Sequence, residues 1–308
     1  MNDIQTLWKG ILKKDRRSIA KAITLLESSK NNDLGQQEDL LKRLMDNNKK
    51  KPSLRIGVSG ITGAGKSTFI ENIGMSFIKD GKNVAVLAVD PSSPISGGSI
   101  LGDKTRMEKL SNHECAFVRP SPNKANSGGL SISTRESILV LENAGFDVIF
   151  VETVGVGQSE YLAHSLVDLF LVLLLPSTGD ELQGAKKGIN ELADLIIINK
   201  ADRDLENQAG LTRISYAETL GEEKVLLHSN FKKENLKETY QYILSTLENS
   251  KISISKKRST QNLQWTRQAV EKKCSQKIKT YFEENQIANQ QPDKIYQIAD
   301  EIFSKLFS

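Results

Sequence analysis

Cysteine is nearly missing from this chain: Cys115 and Cys274 are the only two among 308 residues. Two separated thiols build neither a disulfide framework nor a multi-thiolate metal cage, and they imply a reducing compartment. Aromatic residues make up only 6%, yet 38% of the chain is hydrophobic and 26% charged, which excludes fibrous, collagen-like and wholly disordered chains. No sign of charge dominates. The 42 basic and 38 acidic residues leave +4, too mild a field for a dedicated nucleic-acid binder. Long hydrophobic runs are absent as well. The most apolar stretch, Leu166 to Pro176, contains Asp168 and falls well short of the roughly 20 residues that cross a bilayer, so it reads as a buried strand and no membrane partner is expected. The opening MNDIQTLWKGILKKDRR lacks the apolar core of a secretory signal and carries acids that a transit peptide avoids, which reads as a cytoplasmic protein.

What is present falls into blocks. From Ile4 to Met45, apolar residues recur at helical spacing, with Ile19, Ala22, Ile23, Leu25 and Leu26 forming one stripe; this predicts two helices divided near Ser28 to Leu34. The polar stretch Asn47 to Ser53, with Pro52, then breaks the pattern. Beyond it, short apolar runs alternate with helical segments: Leu54 to Val58, Val84 to Val89, Asp147 to Val151, Leu169 to Leu175, Leu195 to Ile198 and Val225 to Leu227. Runs such as FLVLLL and LIII do not alternate with polar residues, as expected for strands covered on both faces, and the order predicts an α/β fold with a parallel sheet. After Asn235 the pattern is helical, around Leu236 to Leu247, Leu263 to Phe282 and Ile295 to Phe307, with lysine-rich Ser250 to Thr260 read as an exposed linker. The expected organisation is a helical extension over 1–50, a nucleotide-binding domain over 51–248 and a C-terminal helical dimerisation region over 249–308.

Gly60-Ile61-Thr62-Gly63-Ala64-Gly65-Lys66-Ser67 fits G-x-x-x-x-G-K-[ST] between a predicted strand and a predicted helix, Ser67 to Ile78. The glycines let successive N–H groups turn inward, and the helix N-terminus adds its positive dipole end, so the segment is suited to cradle phosphates. In such a loop Lys66 reaches the β- and γ-phosphates and the Ser67 hydroxyl ligates Mg²⁺. Asn199-Lys200-Ala201-Asp202, at the end of LIII, resembles the guanine signature N-K-x-D of GTP-binding proteins. A carboxylate at Asp202 accepts from both guanine N1–H and its 2-amino group, a pattern adenine does not offer, so GTP/GDP is expected over ATP. Ser229-Asn230-Phe231, after VLL, stands where a last loop contacts the base through backbone amides, or is a plain strand-ending turn.

Carboxylates follow several strands. Asp90 ends VAVLAV, Asp103 lies in the glycine-rich string after it, and Glu152 ends DVIFV. Acids at the carboxyl edge of an open sheet suit a Mg²⁺ phosphate complex, with a helix cap as the lesser reading of Asp103. Glu152-x-x-Gly155 replaces the D-x-x-G of Ras-like switches, and Val156 stands where those proteins carry the glutamine that positions water. Slow intrinsic hydrolysis follows, with Gln158 left as a candidate to orient water.

Together, GITGAGKST, VDPSSPISGGSILGDKTRM, FVRPSPN with GGL after it, FDVIFVETVGVGQSE, PSTGDELQGAKKGINELADLIIINKAD and, upstream, DRRSIAKAITLLES resemble the MeaB/ArgK-type GTPases associated with methylmalonyl-CoA mutase, in the SIMIBI class of P-loop proteins. The specific matches run from Asp15 to Asp202. The resemblance implies a P-loop GTPase domain with helical extensions, and a nucleotide cycle that gates loading and protection of an adenosylcobalamin-dependent acyl-CoA mutase. It implies that Gly60 to Thr68 bind phosphates, that Ser67, Asp90, Asp103 and Glu152 form the Mg²⁺ environment, and that Asn199, Lys200 and Asp202 read guanine. Lys186, in a further loop over Ser177 to Lys187, reaches the nucleotide or the partner, or else lies on a solvated helix face. Thr62 departs from the proline of many relatives, which loosens the loop without removing an N–H donor. The terminal helices would serve a homodimer and the mutase contact, with Trp8, Trp265 and Phe282 as anchors or as ordinary core. Rival readings are a nucleotide-dependent kinase or transport-coupled ATPase, and a metallochaperone GTPase, for which only His113, His164 and His228 accompany the two cysteines.

Overall fold

A computed structural model of the chain describes residues 4–28, 30–47, 52–90, 107–122, 129–153, 158–176, 192–203, 208–249, 251–284, 299–300 and 302–305. It divides into two compact units, Met1–Ser255 and Lys256–Ser308. In the first, helices α1 (Ile4–Leu12), α2 (Arg16–Leu26) and α3 (Leu34–Asp46) precede strand β1 (Leu54–Gly60) and helix α4 (Lys66–Lys79). There follow β2 (Val84–Asp90), α5 (Glu108–Asn112), β3 (Ala116–Pro122), α6 (Gly129–Asn143), β4 (Val148–Thr153), α7 (Gln158–His164), β5 (Leu169–Leu174) and β6 (Leu195–Ile198). Helix α8 (Gln208–Leu220), β7 (Val225–Leu227) and α9 (Lys233–Asn249) complete this part, and helix α10 (Lys251–Glu284) runs on into the second unit.

Among the described residues seven strands form one parallel sheet, in the order β3-β2-β4-β1-β5-β6-β7. The chain leaves β1 toward β2 and β3 on one side, then returns through β4 and crosses to β5 on the other. That reversal puts the crevice at the carboxyl end of β1, where an open α/β sheet binds ligands. The uninterrupted apolar runs are buried on both faces as expected: β6 is wholly buried, and β1 is buried from Arg55 onward. Phe69, Ile70, Ile73 and Phe77 of α4 share one core cluster with Ile56, Val58, Phe150 and Leu171 of the sheet. This packing fixes the helix that opens at Lys66.

Three elements differ from the sequence reading. The N-terminal region holds three helices rather than two, because Lys14 takes a left-handed φ of 58° and Asp15 then caps α2, accepting from the Ser18 amide at 2.9 Å and its hydroxyl at 2.6 Å. These bonds hold the Asp15 carboxyl below its ordinary value. Strand β3 is additional. Pro120 and Pro122 argue against a central strand, but β3 is the sheet edge, where a residue without an N–H is tolerated. Its edge is covered by α2: Arg119 pairs with Glu27 at 2.6 Å, and Arg16 donates to the carbonyls of Ser111, His113 and Ala116. Finally, the lysine-rich Ser250 to Thr260 is no linker, since from Lys251 it is part of the 34-residue helix α10. Lys, Arg and Gln favour a helix, and neither Gly nor Pro interrupts it.

Beneath the sheet, Arg55 of β1 donates to Glu142 of α6 at 2.7 and 3.0 Å, and its backbone N–H donates to Asp168 at 2.9 Å, all within buried surroundings. Ser53 donates to Phe146 O, and Asn143 donates to Leu44 O, tying α6 to both β1 and α3. These bonds satisfy polar groups that would be costly to bury alone.

Candidate nucleotide site

The loop between β1 and α4 has the shape its glycines permit. Gly60, Gly63 and Gly65 take φ of 142°, 84° and 86°, values closed to ordinary side chains. A Cβ on Gly65 would lie 2.6 Å from Asn199 Nδ2, so this position is closed by contact as well as by conformation. Gly65 also precedes the first turn of α4 without giving it a side-chain cap bond. The N–H groups opening α4 therefore stay available at the positive end of the helix, which suits a phosphate. Ile61 and Thr62 form the outer turn, Ala64 is buried, and Thr68 is exposed. Lys66 is folded against the loop, with Nζ donating to Gly60 O at 2.7 Å and Ile61 O at 3.2 Å, so it stands over the cradle.

Ser67 Oγ donates to Glu152 Oε1 at 2.8 Å. One contact thus joins the phosphate loop to the last turn of β4. A hydroxyl and a carboxylate together are hard oxygen donors, which fit Mg²⁺. Asp90 is the last residue of β2, and β2 lies beside β4 with Ala88 opposite Glu152 and Val89 opposite Thr153, so its backbone ends at the same edge. Its side chain, Asp103 and Lys186 lie outside what the structure describes. Gln158 opens α7, two residues before Glu160, a fully buried acid that accepts from Ser59 Oγ at 2.7 Å. This bond anchors α7 to the root of the phosphate loop; no spacing in the sequence announced it.

On the base side, Asn199 follows β6 and is fully buried. Its N–H donates to Leu174 O at 2.8 Å, and its side-chain Nδ2 donates to Ala64 O at 2.6 Å, which links the expected guanine loop to the phosphate loop. Asn199 Oδ1 is buried with no hydrogen-bond partner among the described residues, an acceptor that a polar ligand could satisfy. Lys200 has φ of 60°, and Asp202 lies in a single helical turn, Ala201–Arg203. The cradle, the orphan amide oxygen and Asp202 together fit a guanine nucleotide.

The loop after β7 comes to the same place. Ser229 is buried, and its Oγ accepts from the amides of Phe231 and Lys232 at 3.2 and 3.4 Å. Asn230 O accepts from Asn72 of α4 at 3.1 Å, and Phe231 is 69% exposed. His228, noted in the sequence only as a rare histidine, is fully buried between Thr239 and Asn230. Burial pushes its pKa below the ordinary value, against the opposing effects of Asn230, the Asn235 carbonyl and Asp202. Of the other singled-out residues, Trp8 is half-buried, Trp265 buried and Phe282 exposed, so the three do not behave alike.

Comparison with known proteins fits this geometry. The family model described as "Methylmalonyl Co-A mutase-associated GTPase MeaB" matches residues 19–283. A putative GTPase of Caulobacter vibrioides is 54% identical over 202 residues, covering 66% of this chain and 61% of that protein, so the match spans under two thirds of that relative's length. GTPase ArgK of Escherichia coli is 42% identical over 268 residues, covering 83% of this chain and 80% of that one. The crystal structure of a LAO/AO transport system kinase superposes with a TM-score of 0.73 at 32% identity, covering 98% of this chain and 99% of that chain. The fold is that of a P-loop GTPase, and the Caulobacter and Escherichia relatives are themselves named as GTPases. The chain belongs to the MeaB family, the methylmalonyl-CoA mutase-associated GTPases.

Proposed function

We propose that this protein binds and slowly hydrolyses GTP, and that its nucleotide state gates cofactor loading and protection of an adenosylcobalamin-dependent acyl-CoA mutase. The observation that carries this reading is the Ser67 to Glu152 hydrogen bond, 2.8 Å long, which couples the phosphate cradle directly to the strand end that leads into α7. A γ-phosphate acting on Ser67 and Lys66 would be felt at Glu152, and from there in the chain toward Gln158. Lys66 would neutralise phosphate charge, Glu152 would hold Ser67 or the ion, and Gln158 and Lys186 are the candidates for orienting water or completing the site. Ser67, Glu152, Asp90 and Asp103 would hold Mg²⁺, which supplies charge neutralisation across the phosphates when bound. Asn199, Lys200 and Asp202 would read guanine, with the amides of Ser229, Asn230 and Phe231 completing the base site. Without a Ras-type glutamine at Val156, intrinsic turnover would be slow, as befits a timer.

The mutase partner is supported by the family description. A homodimer is supported by α10, whose Leu263, Val270, Ile278 and Phe282 are exposed in a helical stripe. Among the described residues no helix is long and apolar enough to cross a membrane, and a cytoplasmic site of action is proposed. The transport system kinase among the solved relatives suggests a second reading, but the Asn199 to Asp202 turn favours guanine over the adenine nucleotide of a typical kinase. The test is binding of the purified protein to an adenosylcobalamin-dependent acyl-CoA mutase in the GDP state and in a non-hydrolysable GTP state, with cobalamin transfer followed by absorbance. A difference of at least tenfold in affinity or transfer rate between the states is expected; equal values in both overturn the gating role.

A further inference from the structure

His228 is held from every side. Its N–H donates to Ile198 O at 2.8 Å, and its carbonyl accepts from Ala201 N at 3.1 Å, so its backbone is registered against both flanks of Asn199-Lys200. In the side chain, Nδ1 lies 2.8 Å from Thr239 Oγ1 on α9, and Nε2 lies 3.1 Å from Asn230 Oδ1. The ring meets Phe69 of α4 edge-on, with centroids 5.2 Å apart. Because an amide oxygen only accepts, Nε2 carries the hydrogen, and Nδ1 accepts from the Thr239 hydroxyl. One neutral tautomer satisfies both neighbours.

Asn230 carries this constraint to the ligand side. Its carbonyl accepts from Asn72 of α4 at 3.1 Å, and its Nδ2 lies 3.3 Å from where a Cβ on Gly65 would stand. Ser229 Oγ takes the amides of Phe231 and Lys232, which fixes the turn on either side of Asn230. The imidazole therefore fixes a residue that bonds to α4 and lies beside the phosphate loop. An imidazole with two partners in a buried site is rigid, since losing either bond leaves a buried polar atom unsatisfied.

We infer that His228 is a positioning residue for base selection: acting through Asn230, it holds the loop amide that donates to the six-position oxygen of guanine, while Asp202 separately reads the 2-amino group. This rests on the guanine-binding reading above. The two contacts have separate probes. Inosine diphosphate lacks only the 2-amino group, and 6-thioguanosine diphosphate keeps that group but presents a poorer acceptor at position six.

The experiment is calorimetric titration of the full chain with GDP, IDP and 6-thio-GDP at neutral pH, for the native protein, His228→Ala, Thr239→Val and Asp202→Asn. The native protein should prefer GDP over both analogues. His228→Ala should shrink the GDP to 6-thio-GDP preference by about tenfold, the worth of one well-placed hydrogen bond, and leave the GDP to IDP preference intact. Asp202→Asn should do the reverse. General loosening of the fold would lower all three affinities together and would refute the inference, as would an unchanged 6-thio-GDP ratio in His228→Ala. If that variant does not fold, Thr239→Val, which keeps the ring and removes one partner, must move the same ratio in the same direction, and no movement overturns the inference. A native protein with no preference for GDP over IDP would instead refute the guanine reading itself.

Discussion

Gly65→Ala is the substitution for which the geometry gives the most specific expectation. At φ of 86° an L-residue costs about 1–2 kcal/mol, and Gly63, at 84°, would bear the same cost. The two positions differ in what a methyl would meet. Nothing lies within 4 Å at Gly63, whereas at Gly65 the methyl would stand 2.6 Å from Asn199 Nδ2. Asn199 is fully buried and its amide already donates to Ala64 O, so it cannot swing aside without breaking that bond. Orphaning a buried donor and acceptor costs about 1–3 kcal/mol more. With about 2–4 °C lost per kcal/mol in a domain of this class, Gly65→Ala should melt about 2–12 °C below Gly63→Ala when no nucleotide is added. Differential scanning calorimetry reads this directly, and in an Asn199→Ala background the gap between the two variants should close. Equal melting temperatures for the two single variants would refute the claim that Asn199 locks the phosphate loop.

The buried pair under the sheet gives a second expectation: Arg55→Met leaves the Glu142 carboxylate unpaired and should cost about 3–5 kcal/mol in urea unfolding, while Arg55→Met with Glu142→Leu should recover most of it. A third concerns acid. His228 is buried with its pKa below the free value of 6.5, chiefly by desolvation, so the unfolded chain binds the proton more readily than the folded one. Its contribution to stability is full above about pH 6.5 and is lost as the pH falls from there toward the folded pKa. Urea midpoints measured between pH 7.5 and 5.5 should fall more steeply in the native protein than in His228→Gln; parallel profiles would contradict the buried neutral imidazole.

Much of this was legible in the residues themselves. Apolar runs such as LIII and FLVLLL announced central parallel strands because covered strands need no alternation, and the glycine and lysine spacing announced the phosphate loop because only that backbone path brings N–H groups inward. Strand β3 escaped because proline is penalised by pattern, yet tolerated at an edge that α2 and Arg119 cover. The break at Lys14 escaped because apolar spacing carries across a single left-handed residue; Asp15 and Ser18, a capping pair, were the available signal. Around the site, residue types were readable but their partnerships were not. Ser59 with Glu160 and Asn72 with Asn230 meet only because the sheet brings distant segments together, and no local spacing encodes them.

The central claim is that the carboxyl edge of the sheet holds a guanine nucleotide between Gly60 to Ser67 and Asn199 to Asp202. Isothermal titration of the protein with GDP, ADP and XDP in the presence of Mg²⁺, repeated on Asp202→Asn, tests it most directly. The account predicts GDP binding at least a hundredfold tighter than ADP, with preference moving toward XDP in the variant, because the substituted amide offers a donor where the carboxylate accepted. Equal affinity for GDP and ADP, or an Asp202→Asn protein that still selects GDP, would contradict it.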